Sequence, residues 1–341
     1  MSTTTPSPAT GTTRDTPHAP PSGAVHGPRW VFLRLHRTPL RLALAVFALG
    51  AALTGFLRWA AWAYPEKEFD CSDGSPCSDT FLGFQSAATL LYEYMKNVSL
   101  SGLLLPVLIG AFVAGPVVAR ELESGLHRLV WTQSVSPARW FVSRLAIAAT
   151  LAATAALAFI GVFQLGASGM LGMWNLHWMD RGVYEATGPA LVAYGLLAVT
   201  VGALLGLLLR RTVAAMAAAA AVTGTVLLVA GTLRWDLVPV NTLTGPGSVE
   251  HPQPTGLPDG VKIVDWGLQN AAGQRFSPHE CVPEKLIGAR CPSDVTVTDW
   301  FVDFHPRAHF WYAQLVETGI VLVLAAAAGY AALRVLRRRH A

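Results

Sequence analysis

The sequence predicts an all-α polytopic membrane protein. It has six transmembrane helices, both termini on the cytoplasmic side, and a disulfide-stapled extracytoplasmic loop domain between helices five and six. Three observations predict this. The 341 residues are 52% hydrophobic and only 13% charged, about half the ~25% charge of an average soluble domain. Six apolar runs, 42–64, 99–119, 143–166, 188–209, 213–233 and 313–333, each reach the ~20 residues a helix needs to cross the hydrocarbon core. Finally, the charges segregate by side.

That segregation sets the orientation. Segments 1–41, 120–144, 210–212 and 334–341 hold fifteen Lys and Arg against three acidic residues, Asp15, Glu121 and Glu123. The rest of the chain holds ten basic and eighteen acidic residues, so +12 and −8 make up the net +4. Basic loops stay in the cytoplasm, and a multi-pass protein of the cell membrane with both ends inside is expected.

Residues 1–28 are rich in Thr, Pro, Ser and Gly without apolar period and are expected to be disordered and cytoplasmic. Segment 29–41, "RWVFLRLHRTPLR", alternates basic with apolar and aromatic residues. It reads either as an inner interfacial helix or as a plain positive flank. The first run lacks an A-x-A-like cleavage site and is read as a retained span. It ends in "FLRWAAWAY", where Arg58 can snorkel beside Trp59, Trp62 and Tyr64.

An acidic outer loop with Cys71 and Cys77 follows, then "TFLGFQSAATLLYEYMKNV" leads into span two. The other two cysteines, Cys281 and Cys291, fall in the last outer loop, 234–312. All four are on the side where disulfides persist. Four cysteines permit three connectivities, of which the two local pairs are preferred. The 234–312 loop carries turn-rich "GPGSVEHPQPTGLPDG" and the strand-like pieces "GVKIVDWGL" and "DVTVTDWFV", so a compact cap is expected. Residues 42–233 make up spans one to five, 313–333 span six and 334–341 a basic cytoplasmic tail.

Little in the spans is chemically active. Ionisable groups in a membrane are costly and usually functional. Glu317 stands out, with Gln314 beside it and Gln164 late in span three. Glu317 either lines a pathway or gate, or meets the interface and a loop partner. The absence of other mid-span titratable groups argues against an ion-coupled carrier or an intramembrane protease. His279, Glu280, Cys281, His305 and His309 do not follow a zinc-ligand spacing, and neither a metal nor a cofactor is expected in this chain. No phosphate-binding G-x-x-x-x-G-K-[ST] run occurs, and no nucleic-acid partner is expected. "GALLG" at 202–206 is a small-xxx-small pattern that lets helices approach.

The largest inner loop, 120–142, stands out in turn. Leu122, Leu126, Leu129 and Val130 form one helical stripe, while Glu121, Ser124, His127, Arg128 and Trp131 take other faces. Ser136-Pro137 is a helix start, with Ser as N-cap and Pro in the first turn. A short amphipathic helix tied between spans two and three would be a mechanical handle for a cytoplasmic partner.

These residues, "ARELESGLHRL" and "SPARW", resemble the loop between the second and third spans of type-2 ABC exporter permeases. Glu121 matches the family's acidic position, Gly125 its glycine and Arg139 the basic residue before the next span; Leu126 stands where the family often has Thr. "HPRAHFWYAQLVETGIVLVLAAA" (305–327) is similar to the last span of high-GC bacterial members. The resemblance implies coupling to an ATPase through Glu121, Glu123, Gly125, His127, Arg128 and Arg139. It also implies two cytoplasmic ABC ATPase subunits that carry ATP and Mg, a second permease subunit in a homo- or heterodimer, and outward transport. The Ala-, Leu- and Val-rich walls suggest an amphipathic or apolar small molecule, with membrane lipid as the surroundings. Two rival readings remain from the sequence: a membrane-anchored sensor or binding protein acting through its outer loop domain, and a membrane-embedded enzyme using outer His and Asp residues.

Overall fold

The computed structural model describes residues 37–64, 81–82, 86–125, 136–172, 176–247, 254, 256–277 and 296–340. Among them, six helical stretches are long and apolar enough to cross a membrane: Arg41–Ala63, Ala87–Glu123, Pro137–Ala167, Ala190–Leu209, Thr212–Leu237 and His309–Arg339. Each overlaps one of the six runs read from the sequence. Residues 1–47 and 48–341 form two compact units. Helix α1, Arg37–Ala63, begins in the first unit, and all later elements belong to the second.

Span two is a broken helix, and two prolines explain the breaks. Helix α2, Ala87–Gly102, is capped by Ser86, whose side chain accepts from the Thr89 amide. It stops at Gly102 because Pro106, four residues on, has no N–H for the Gly102 carbonyl and its ring crowds it. Helix α3, Leu104–Leu108, runs into a π turn at Ile109–Ala114 and then helix α4, Gly115–Glu123. Pro116 stands in the same relation to Phe112, and the turn widens so that the Gly115 N–H bonds the Gly110 carbonyl instead.

Helix α5, Pro137–Ala167, starts as its Ser-Pro signal predicts: the Ser136 hydroxyl accepts the Arg139 amide at 3.3 Å. A short helix α6, Val183–Thr187, precedes α7, Ala190–Leu209. Arg210, at φ 52°, turns the chain directly into α8, Thr212–Leu233, which tightens into a 3-10 turn at Arg234–Leu237. Helix α9, His309–His340, closes the set. The most buried span is α7. Its GALLG pattern works as a close-approach surface: a Cβ on Gly202 would lie 2.6 Å from the Ala114 Cβ, and one on Gly206 3.2 Å from the Ala119 amide.

The all-α expectation holds for the spans but not for the 234–312 loop. That segment contains a four-stranded antiparallel sheet of β1 (Asn241–Pro246), β2 (Lys262–Asn270), β3 (Arg275–Phe276) and β4 (Val297–His305), in the order β1-β4-β2-β3. β-Branched and aromatic residues in β4 favour a pleated ladder over a helix. Trp300, Val302 and Phe304 recur on one face with Leu268 of β2. The sheet is tied to the bundle by the Trp178 indole, which donates to the Gly260 carbonyl at 2.7 Å. The opposite end of the bundle is closed by Val118, Trp140, Phe141, Leu207, Ala332 and Leu336. Cys71, Cys77, Cys281 and Cys291, like residues 1–28, lie outside the described residues.

Candidate functional site

Two places gather polar side chains at the ends of spans. The first is the last turn of α4. Glu121 Oε2 accepts the Trp140 indole N–H at 2.9 Å, and its Oε1 lies 2.7 Å from Arg144 Nη2. Both partners are on α5. Two residues later, Glu123 turns to a different helix. Its Oε2 accepts the Thr212 amide at 2.8 Å and the Thr212 hydroxyl at 2.5 Å. The first amides of α8 have no intrahelical acceptor, and Arg211 supplies no side-chain cap, so Glu123 caps α8 from outside. The end of span two is therefore fastened to spans three and five. Gly125 follows at φ +74°, a left-handed conformation that costs other residues roughly 1–2 kcal/mol. Arg139 is exposed at the start of α5 and does not join the two glutamates. His127, Arg128, Trp131 and the Leu126, Leu129 and Val130 stripe lie outside the described residues.

The second place is at the sheet end. Glu317, 3% exposed, is one of two carboxylates closing on a single guanidinium. Arg234 Nε donates to Glu317 Oε2 at 2.6 Å and its Nη2 to Oε1 at 2.9 Å, while Nη2 also reaches Glu185 Oε1. Arg234 is 2% exposed and Glu185 1%, so the whole cluster is out of water. The Tyr194 hydroxyl donates to Glu317 Oε1 at 2.5 Å, and the Gly182 amide to Glu185 Oε2 at 2.7 Å. The Tyr184 ring lies 3.5 Å from the guanidinium carbon. Burial, reinforced by the Glu317 charge, pushes the Tyr184 phenol well up.

Local sequence places each member. Gly182 has φ +90°, and a Cβ there would come within 2.7 Å of the Ser99 backbone; a glycine lets the turn press against α2 and aim its N–H at Glu185. Arg234 opens the 3-10 turn after α8, and Glu317 lies two turns into α9. The cluster thus joins the entry of span four, the exit of span five and the entry of span six. Gln314 reinforces it: its Nε2 donates to the Tyr184 carbonyl at 2.7 Å and its Oε1 accepts the Ala190 amide at 3.2 Å. Gln164 is separate, exposed, and donates to the Thr187 carbonyl at 3.2 Å.

Sequence reasoning found Glu317 and Gln314 but missed Arg234, Glu185 and Tyr194. Arg234 directly follows an apolar run ending at 233, and Glu185 precedes one starting at 188, so both read as ordinary flanks. The available signal was complementary charge on the ends of consecutive spans that must emerge on one side.

Beside the cluster, fully buried His305 rests against the Trp235 ring, 5.3 Å between centroids, with its Nδ1 3.2 Å from His309 Nδ1. The groups facing it are His309 from α9, Lys262 paired opposite on β2, and the Trp235 ring. Burial first, then His309 and Lys262, lowers the His305 pKa from its ordinary 6.5. The folded state then binds fewer protons than the unfolded one, so this contribution to stability is complete above about pH 6.5 and is lost as pH falls from there through the lowered folded value. The thermal midpoint of the purified protein should drop as pH falls below about 6.5, and His305→Gln should flatten that drop. An unchanged profile in the variant would contradict the assignment. Among the described residues there is no group of three or more side chains suited to a metal.

The profile of a family described as ABC-2 membrane transporter related matches residues 28–234. No curated protein and no solved structure gives a significant match.

Proposed function

The chain belongs to the ABC-2 membrane transporter related family, and on that premise we propose that it is the membrane-spanning permease subunit of an ATP-driven exporter. A separate ATPase docks on the 120–140 connection, which faces the cytoplasm together with both termini. The sequence has no G-x-x-x-x-G-K-[ST] run; ATP and Mg belong to the ATPase, and a second permease subunit completes the transporter. Its cargo is an amphipathic or apolar small molecule moved outward.

One observation carries this reading. Glu121 and Glu123, on a single turn at the end of span two, hold Trp140 and Arg144 of span three and Thr212 of span five. A force applied to the adjoining connection is delivered to three spans at once. At the far end, the Arg234 cluster joins spans four, five and six and acts as the gate that this movement opens. Membrane proteins work by such switching between discrete packings of rigid helices.

Affinity purification from native membranes in mild detergent tests the partner. A P-loop ATPase should copurify with the wild type, and its loss on replacing 126–135 with a Gly-Ser linker should leave insertion intact. Recovery without any ATPase would favour the sensor reading. Orientation is tested by Ser124→Cys, which should react with a membrane-impermeant maleimide only after the cells are permeabilised.

A further inference from the structure

The turn that supplies Glu185 also forms one wall of a second polar feature, which the gate does not use. A cavity of about 400 Å³ lies between α2 and residues 177–183, lined by Lys96, Ser99, Leu100, His177, Asp180 and Arg181. We propose that it binds the phosphate headgroup of an anionic lipid or lipid-like amphiphile.

Its charges are arranged for an anion. The Lys96 side chain is 43% exposed and its nearest carboxylate, Glu93, is 4.0 Å away and equally exposed, so the ammonium can turn to a ligand at little cost. Arg181 uses Nη2 for both of its backbone contacts, the Leu227 and Leu228 carbonyls at 3.4 and 3.2 Å. Gly231 makes that pose possible, since a Cβ there would lie 2.7 Å from the same nitrogen. Asp180, the one acid in the lining, commits Oδ2 to the His177 amide at 2.7 Å and thereby holds the turn. His177 Nδ1 is buried with no partner among the described residues. A buried polar atom left unsatisfied is rare and costly, and His177 is one of the residues that line the cavity.

The chemistry selects the ligand class. A phosphate offers several acceptor oxygens to a point-charge ammonium, a planar guanidinium and an imidazole N–H. A cavity of this size is at the lower end of small-molecule sites, suited to a headgroup and not to a whole lipid. Leu100 and Val183 complete the lining and provide apolar contact for the first carbons beyond the phosphate. The position, beside α2 of a membrane-spanning run, favours a ligand delivered by the bilayer over one from bulk water.

Binding at this cavity involves this chain alone and does not require ATPase docking. Purified protein in neutral detergent is titrated with dioctanoyl phosphatidylglycerol, with dioctanoylglycerol and with inorganic phosphate, reading the thermal unfolding midpoint. The phosphatidylglycerol should raise the midpoint saturably and the phosphate-free diacylglycerol should not. Lys96→Gln should weaken the apparent affinity about tenfold, while Arg58→Gln, which removes another cation of the sheet end, should leave it unchanged. Inorganic phosphate saturating at the same concentration, with the same Lys96 dependence, would reassign the site to a free anion. No stabilisation of the wild type, or equal stabilisation of Lys96→Gln, would overturn the proposal.

Discussion

Arg234→Gln is expected to be the most damaging single substitution in the described chain, lowering stability by about 3–5 kcal/mol. The reason is electrostatic. Glu185 and Glu317 are almost fully buried, and their oxygens accept from the guanidinium, the Tyr194 hydroxyl and the Gly182 amide. Removing the guanidinium leaves two carboxylates facing each other without water. Arg234→Lys should rescue little, because a single ammonium cannot reproduce the Nε and Nη2 contacts that bridge two acids. Glu185→Gln should cost less than either, since it removes one of two like charges and keeps an oxygen to accept from Gly182. Thermal unfolding of the four proteins in one detergent checks the ranking. If Arg234→Gln were as stable as the wild type, the cluster would not hold these spans together.

The second large effect is expected on coupling and not on folding. Replacing both Glu121 and Glu123 by Ala should reduce permease-dependent ATP hydrolysis of the reconstituted complex at least about tenfold. Replacing Glu121 removes a partly shielded charge-assisted contact of about 1.5–3 kcal/mol, and less where water reaches it, while Glu123 is exposed and acts by capping the first turn of α8. Arg144 and Glu121 are only partly shielded, with side chains 25% and 21% exposed, so the unfolding midpoint should move less than for Arg234→Gln. Glu123→Gln should restore part of the activity, because an amide oxygen can still accept from the Thr212 amide. A double variant that hydrolyses ATP normally would show that the span-two anchor does not transmit force.

The sequence was legible in different degrees at the two sites. Glu121 and Glu123 were visible because polar residues between two apolar runs stand out. Their partners were not, because Trp140, Arg144 and Thr212 are 19 to 89 residues away from the acids they meet, and nothing local says which helix each acid meets. The breaks in span two were likewise hidden, although Pro106 and Pro116 were in plain view; a 20-residue hydropathy window averages over the lost hydrogen bonds that cause them. The sheet showed itself only as short strand-like pieces, since β1, β2 and β4 pair across gaps that local pattern cannot bridge.

Composition and apolar run length alone determined that the chain has six helices long and apolar enough to cross a membrane, because transfer of a helix into hydrocarbon depends on summed residue hydrophobicity and very little on neighbours. The Ser136-Pro137 pair likewise determined where α5 starts, as that capping effect acts within one turn. Only the tertiary structure decided that Glu185, Arg234 and Glu317 share one water-free cluster. Burial of charge is a property of what surrounds a residue, and three spans must pack before any of the three groups loses its water.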